Sequence, residues 1–209
     1  MMSRTAKFLQ VEPVMHAFLY FIDRLTMWTG KAFSWCVVIL TLGVSYDIFV
    51  RKVFGAPTAW SYDFSYVMYG ALFMMAGAYT LSRDGHVRCD VIYRLFSPRA
   101  QASLDLTLFI IFFFPGVLAL IYTGVHFARL SWRFMEVSSF SPANIPIYPS
   151  KTLIPIAGTL LFLQGISEVV RCIRCIRSGQ WPERIRDVEE TESVILHERE
   201  DMARLGEKE

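Results

Sequence analysis

Charge is what this 209-residue chain has least of. Asp, Glu, Lys and Arg make up 19% of it, against about one quarter in an ordinary soluble domain, while 54% is hydrophobic and 15% aromatic. The few charges are also unevenly placed. Residues 183–209 hold 10 of the 19 acids and 5 of the 21 bases, which leaves residues 1–182 with a net charge of +7. Bases clustered between long uncharged runs make no extended basic face, so a nucleic-acid-binding role is excluded. Four cysteines without framework spacing exclude a disulfide scaffold.

Catalytic residue types are scarce as well. A haem-binding bundle needs facing histidine pairs. Of His16, His86, His126 and His197, His126 alone lies near an apolar run long enough to span a membrane, and it has no partner there. A membrane thiol oxidase needs cysteine pairs on its oxidising face. Cys36 sits inside the first apolar run, and Cys89, Cys172 and Cys175 fall on the opposite, reducing side. Cys172-x-x-Cys175, with Arg174 between, reads as two small apolar side chains at a helix end. No GxSxG, HExxH, Walker A or GxGxxG run occurs. The sequence therefore predicts neither an enzyme nor a cofactor or metal site in this chain.

What is present is apolar length. A bilayer core ~30 Å thick takes roughly 20 mostly apolar helical residues to cross. Four stretches qualify, at about 33–50, 60–81, 104–127 and 152–173, with single acids (Asp47, Glu168) near the ends of the first and last. Backbone groups in lipid must be satisfied within the segment, so all four are expected to be helices. The predicted class is an all-α integral membrane protein. It comprises a cytoplasmic N-terminus (1–31), a four-helix transmembrane domain (32–175) and a charged cytoplasmic tail (176–209).

Orientation follows from Lys and Arg in the short flanks. The flanks that share a side with both termini carry thirteen, including Arg24, Lys31, Arg83, Arg99, Arg171 and Arg177. The opposite flanks carry five: Arg51, Lys52, Arg129, Arg133 and Lys151. Both termini are accordingly expected in the cytoplasm. The apolar patch at 14–22 is short, runs into Asp23-Arg24 and lacks a small-residue cleavage site, so no cleavable signal peptide is expected. Val14, Phe18, Ile22, Leu25 and Trp28 recur at helical spacing, which suggests an N-terminal amphipathic helix at the interface; an early start to the first span is the alternative. Residues 183–209 show no apolar periodicity and read as a solvated tail.

Most charges near the spans have local explanations. Asp47 and Arg51 are four apart on one helix face and are placed to pair. Asp63 and Asp105 are expected at the starts of the second and third helices, where the helix dipole favours a carboxylate. Pro115-Gly116 predicts a kink in the third helix. The uncharged span centres offer a polar substrate little to bind. Small residues are more informative: Gly70/Gly77, with Ala71/Ala78, and Gly158/Gly165 repeat at seven-residue spacing, forming seams that let helices approach closely. Packing within the chain accounts for one seam, and the second suggests a partner helix.

Particular stretches add a resemblance. Tyr46-Asp47-Ile48-Phe49-Val50-Arg51-Lys52-Val53-Phe54-Gly55 closes the first span, and Trp60-Ser61-Tyr62-Asp63 opens the second. Gly85-His86-Val87-Arg88-Cys89-Asp90-Val91 follows in the loop after it, and Glu136-Val137-Ser138-Ser139 with a proline-bearing loop comes later. In this order, over about residues 15–175, they resemble the small permease subunit (DctQ family) of tripartite ATP-independent periplasmic (TRAP) transporters. The likeness is to the branch that handles mannitol or chloroaromatic compounds. Asp63 stands where the family often has Glu.

The resemblance implies a small, scaffold-like subunit of a symporter in a bacterial inner membrane. It would brace a large (DctM-like) permease that holds the substrate and sodium sites, while a periplasmic (DctP-like) binding protein delivers an organic acid or related solute. Candidate subunit contacts are then Asp47, Arg51, Trp60, Asp63, Gly70, Gly77, Gly158 and Gly165. Gly85, His86, Arg88 and Asp90 would order the cytoplasmic loop. Arg129, Arg133 and Glu136 form an outer segment facing either lipid headgroups or the binding protein. The alternative is a self-contained homo-oligomeric channel or exporter, or a membrane redox anchor.

Overall fold

The computed structural model describes residues 3–56, 58–83, 93 and 96–182, with backbone alone for residues 3–16. The chain folds as α1 (Ser3–Phe54), α2 (Ser61–Ser82), α3 (Pro98–Leu108), α4 (Phe114–Phe134) and α5 (Tyr148–Ser178). A π-helical turn, Phe109–Phe113, joins α3 to α4. Four helical stretches are long and apolar enough to cross a membrane: Ala17–Phe54, Ser61–Ser82, Pro98–Phe134 and Tyr148–Ser178. The multi-pass, all-helical class expected from the sequence is therefore what the chain forms.

Helix boundaries differ from the sequence expectation. No break separates the N-terminal segment from the first span. α1 is one helix of 52 residues, roughly 78 Å long at 1.5 Å per residue and far more than a bilayer core requires. Its stretch before residue 32 buries Leu19, Ile22, Asp23 and Thr26. The third helix begins at Pro98, so Asp105 lies in the second turn of α3 and not at a helix start. There it accepts a 2.8 Å hydrogen bond from the Tyr93 hydroxyl. The hydropathy pattern marks only the part of a helix that lipid touches, whereas helical hydrogen bonding runs on through the polar residues beyond it, and in α1 through Gly30 and Gly43 as well.

Pro115 does not break the third helix either. The Phe114 N–H reaches back to the Phe109 carbonyl, one residue further than in an α-helix. That local widening makes room for a ring that has no N–H to donate and crowds the preceding turn.

Packing follows the order α1, α2, α5, α4, with α3 also lying on α5. α5 is the hub: 39% of its most apolar stretch is buried, against 6% for those of α1 and of the third span. Met75 and Ala78 of α2 meet Ala157 and Leu160 of α5, flanked by Leu25 and Phe33 of α1. At the far end of α5, Cys172 and Cys175 pack on Ala102 of α3 beside Trp181. This is the small-apolar role expected of the Cys-x-x-Cys pair.

Candidate functional site: paired charges and open faces

The end of the molecule bearing the short connections is closed by three carboxylates. Asp47, 5% exposed, accepts a 2.6 Å bond from Arg51 and bonds from both the backbone N–H (3.1 Å) and the hydroxyl of Thr58. One side chain thus ties the end of α1 to the approach to α2. Trp60 fills the same corner, its ring 6.2 Å from that of Tyr46 and 5.5 Å from that of Phe64. Asp63, 3% exposed in the first turn of α2, accepts hydrogen bonds from the Ser138 hydroxyl (2.5 Å) and from that of Ser141. A partly desolvated carboxylate with two hydroxyl donors holds its loop more firmly than neutral pairs do.

That loop, between α4 and α5, is itself a small hairpin. Ser138 N–H donates to the Ile145 carbonyl (2.9 Å) and Ile147 N–H to the Glu136 carbonyl (3.1 Å). Glu136 pairs with Lys151 at 2.5 Å, and the Lys151 ammonium lies 4.0 Å from the centre of the Phe127 ring. The Lys151 hydrogen bond holds the Glu136 carboxyl below its ordinary range. Trp132 donates to the Thr152 hydroxyl (2.9 Å) with its ring 4.5 Å from Tyr148.

At the opposite end a polar cluster is buried between α1 and α5. Arg171, 3% exposed, donates one guanidinium nitrogen to Glu168 (2.5 Å) and the other to Asp23. Gln164, fully buried, donates to Asp23 (3.0 Å), and its carbonyl oxygen accepts from the Thr26 hydroxyl (3.0 Å). Charges are buried this deeply only when partnered, and here the partners come from two helices. Asp23, Thr26, Gln164 and Arg171 were not singled out from the sequence. The available signals were a lone Gln in an apolar span and the Glu168/Arg171 spacing of three, which places both on one helix face. Ser141 and Thr58 carried no signal, and Ser138 stood out only as part of the Glu136–Ser139 stretch, because all three meet their carboxylates through loops.

The sequence-derived candidates separate accordingly. Asp47, Trp60 and Asp63 are engaged within the chain, and Arg51 holds Asp47 while its own side chain stays 57% exposed. The Gly158/Gly165 seam is filled by the third span. A Cβ at Gly158 would lie 2.8 Å from Ile121, and one at Gly165 would collide with the Phe113 ring. Gly77 faces Leu161 at ordinary contact distance, but Gly70 faces open space. Arg129 and Arg133 are exposed. Gly85, His86, Arg88 and Asp90 lie outside the described residues, as do residues 183–209 of the tail.

Apolar exposure is concentrated on particular faces. On α2, Tyr62, Tyr66, Tyr69 and Phe73 are each at least 60% exposed and repeat at spacings of three and four. They form one stripe, with Gly70 open between Tyr66 and Phe73.

Residues 40–175, well over half of the chain, match the family model for the DctQ component of tripartite ATP-independent periplasmic transporters. The chain belongs to that family. The matched stretch runs from within α1 to the last turn of α5 and includes Asp47, Asp63 and Glu136 at the loop end together with Gln164, Glu168 and Arg171, whereas their α1 partners Asp23 and Thr26 lie before it. No curated protein gives a significant match. A DctQ chain is a transporter component that works with a large permease and a binding protein, and its membership agrees with the multi-pass helical architecture.

Proposed function

We propose that this chain is the small subunit that braces the large permease of a TRAP transporter, of the branch handling mannitol or chloroaromatic compounds. Sodium-driven uptake of an organic acid or related solute proceeds through the large subunit, and a periplasmic binding protein delivers the solute. In this reading the chain sits in a bacterial inner membrane with both termini in the cytoplasm, and it contributes rigidity and surface instead of a pathway.

The division of its side chains carries the reading. Asp47, Asp63, Glu136, Asp23, Glu168 and Arg171 all spend their charge on neighbours in the same chain. The apolar flanks of α1 and the third span remain largely uncovered. Helices pinned to one another at both ends resist shear, which is what a static support beside a moving subunit needs. Gly70, the one seam glycine left open, and the stripe beside it are the surface best suited to a partner helix.

The test is co-purification from native membranes, followed by reconstitution. Recovery of a larger multi-span protein in equal amounts, with sodium-dependent uptake requiring both chains, is the expected result. Uptake or conductance by this chain alone in liposomes would overturn the reading.

A further inference from the structure

One face of α4 carries a shallow groove of about 450 Å3 lined by Leu118, Ile121, Tyr122, Val125, His126 and Arg129. These positions recur at intervals of three and four and so run up a single side of the helix. From Leu118 to Arg129 the rise is about 16 Å, close to half of a ~30 Å bilayer core and thus to one leaflet. The chemistry is graded along that rise. Leu118, Ile121 and Val125 make an apolar floor, and His126 and Arg129 lie at the end near the connecting loop, with Arg133 one turn further.

The charge at this end is unanswered. Among the described residues, His126, Arg129 and Arg133 make no hydrogen bond or ion pair, and Glu136, the acid close by in sequence, is taken up by Lys151. Arg129 and Arg133 are four apart on the helix, where like charges repel unless an anion lies between them. We propose that this groove is a binding site for one anionic phospholipid, its phosphate held by Arg129 and Arg133 beside His126 and one acyl chain lying along Leu118–Val125. A free phosphate would satisfy the arginines but leave the apolar floor unused, and the match of groove length to leaflet depth favours a lipid.

The site is tested by native mass spectrometry of the full-length chain titrated with phosphatidylglycerol or phosphatidylcholine. Wild-type protein is expected to retain one phosphatidylglycerol in preference to phosphatidylcholine. The variant with Arg129→Gln and Arg133→Gln should lose about thirty-fold in retention, at roughly fivefold per arginine facing an anionic lipid surface. Val125→Trp fills the floor without touching charge and should give a comparable loss. Circular dichroism establishes that both variants keep their helicity; both arginines are exposed, so no packing is removed. Equal retention of the two lipids, competition by millimolar inorganic phosphate, or unchanged binding by both variants would each overturn the proposal. So would photo-crosslinking from Tyr122 into a co-purified permease subunit, which would show that a protein occupies the groove.

Discussion

Arg171 and Asp23, 148 positions apart in the sequence, form a buried ion pair that fastens the last helix to the first. Glu168 completes a triad on the same guanidinium, and Gln164 donates to Asp23 while its own carbonyl oxygen accepts from Thr26. The arrangement fixes register more than it adds stability, because desolvating three charges offsets much of their attraction. An α1 that slid or rotated by one residue against α5 would leave charge unmatched in an apolar setting.

The register role predicts an asymmetric mutational response. Arg171→Met leaves two buried carboxylates without their cation and should destabilise the chain by about 3–5 kcal/mol. Neutralising all three charges together (Asp23→Asn, Glu168→Gln, Arg171→Met) should cost clearly less than the single change. Thermal unfolding in detergent, followed by circular dichroism, measures both. A triple variant no more stable than Arg171→Met would remove the argument.

Glu136 gives the loop end a pH dependence. Its folded carboxyl titrates below its ordinary range because Lys151 donates to the ionised form. The contribution is therefore present at neutral pH and fades as pH falls through and below the ordinary glutamate range of about 4.3. The pair is partly exposed, so salt should weaken it in the same direction. A spin label at the exposed Asn144 is expected to become more mobile on acidification. In Glu136→Gln the label should be mobile throughout; an unchanged pH response in that variant would assign the transition to another group.

The number of spans and their approximate centres were legible in the sequence because lipid enforces a continuous apolar surface. The Asp47–Arg51 pair was legible because its spacing is local. The continuity of α1 was not, since the polar residues that suggested a boundary, Asp23 among them, are buried against α5 and need not face water. The partners of Asp63 were hidden for a related reason. A helix-dipole argument explains a carboxylate in a first turn without reference to Ser138 and Ser141, which reach it only because the loop after α4 folds into a hairpin. Of the two glycine seams, periodicity identified both but did not say which one the chain fills itself.

That last distinction is measurable. Gly158→Leu drives side-chain volume into Ile121 across the α4–α5 contact and should cost about 1–3 kcal/mol. Gly70→Ala meets open space and removes a flexible residue from a helix interior, so the isolated chain should be unchanged or slightly more stable. Unfolding midpoints for the two variants, taken in the same detergent, make the comparison. A loss at Gly70 similar to that at Gly158 would mean that the α2 face is covered within this chain.

The α2 stripe yields the most direct check on the bracing role. Tyr66 and Tyr69 make no hydrogen bond within the chain among the described residues, and both are 60% exposed or more. A tyrosine hydroxyl in hydrocarbon lacks an acceptor, whereas against another protein helix it can find a carbonyl or polar side chain, and the notch at Gly70 permits close approach. A photo-reactive residue in place of Tyr66 or Phe73 should therefore crosslink to the large permease in native membranes. The same probe at Ile48, on the exposed apolar face of α1, reports whether capture is general to lipid-facing positions. Capture from Tyr66 and Phe73 with little from Ile48 would assign the interface to α2. Equal capture at all three would make contact non-specific, and capture from Ile48 alone would move the brace to α1.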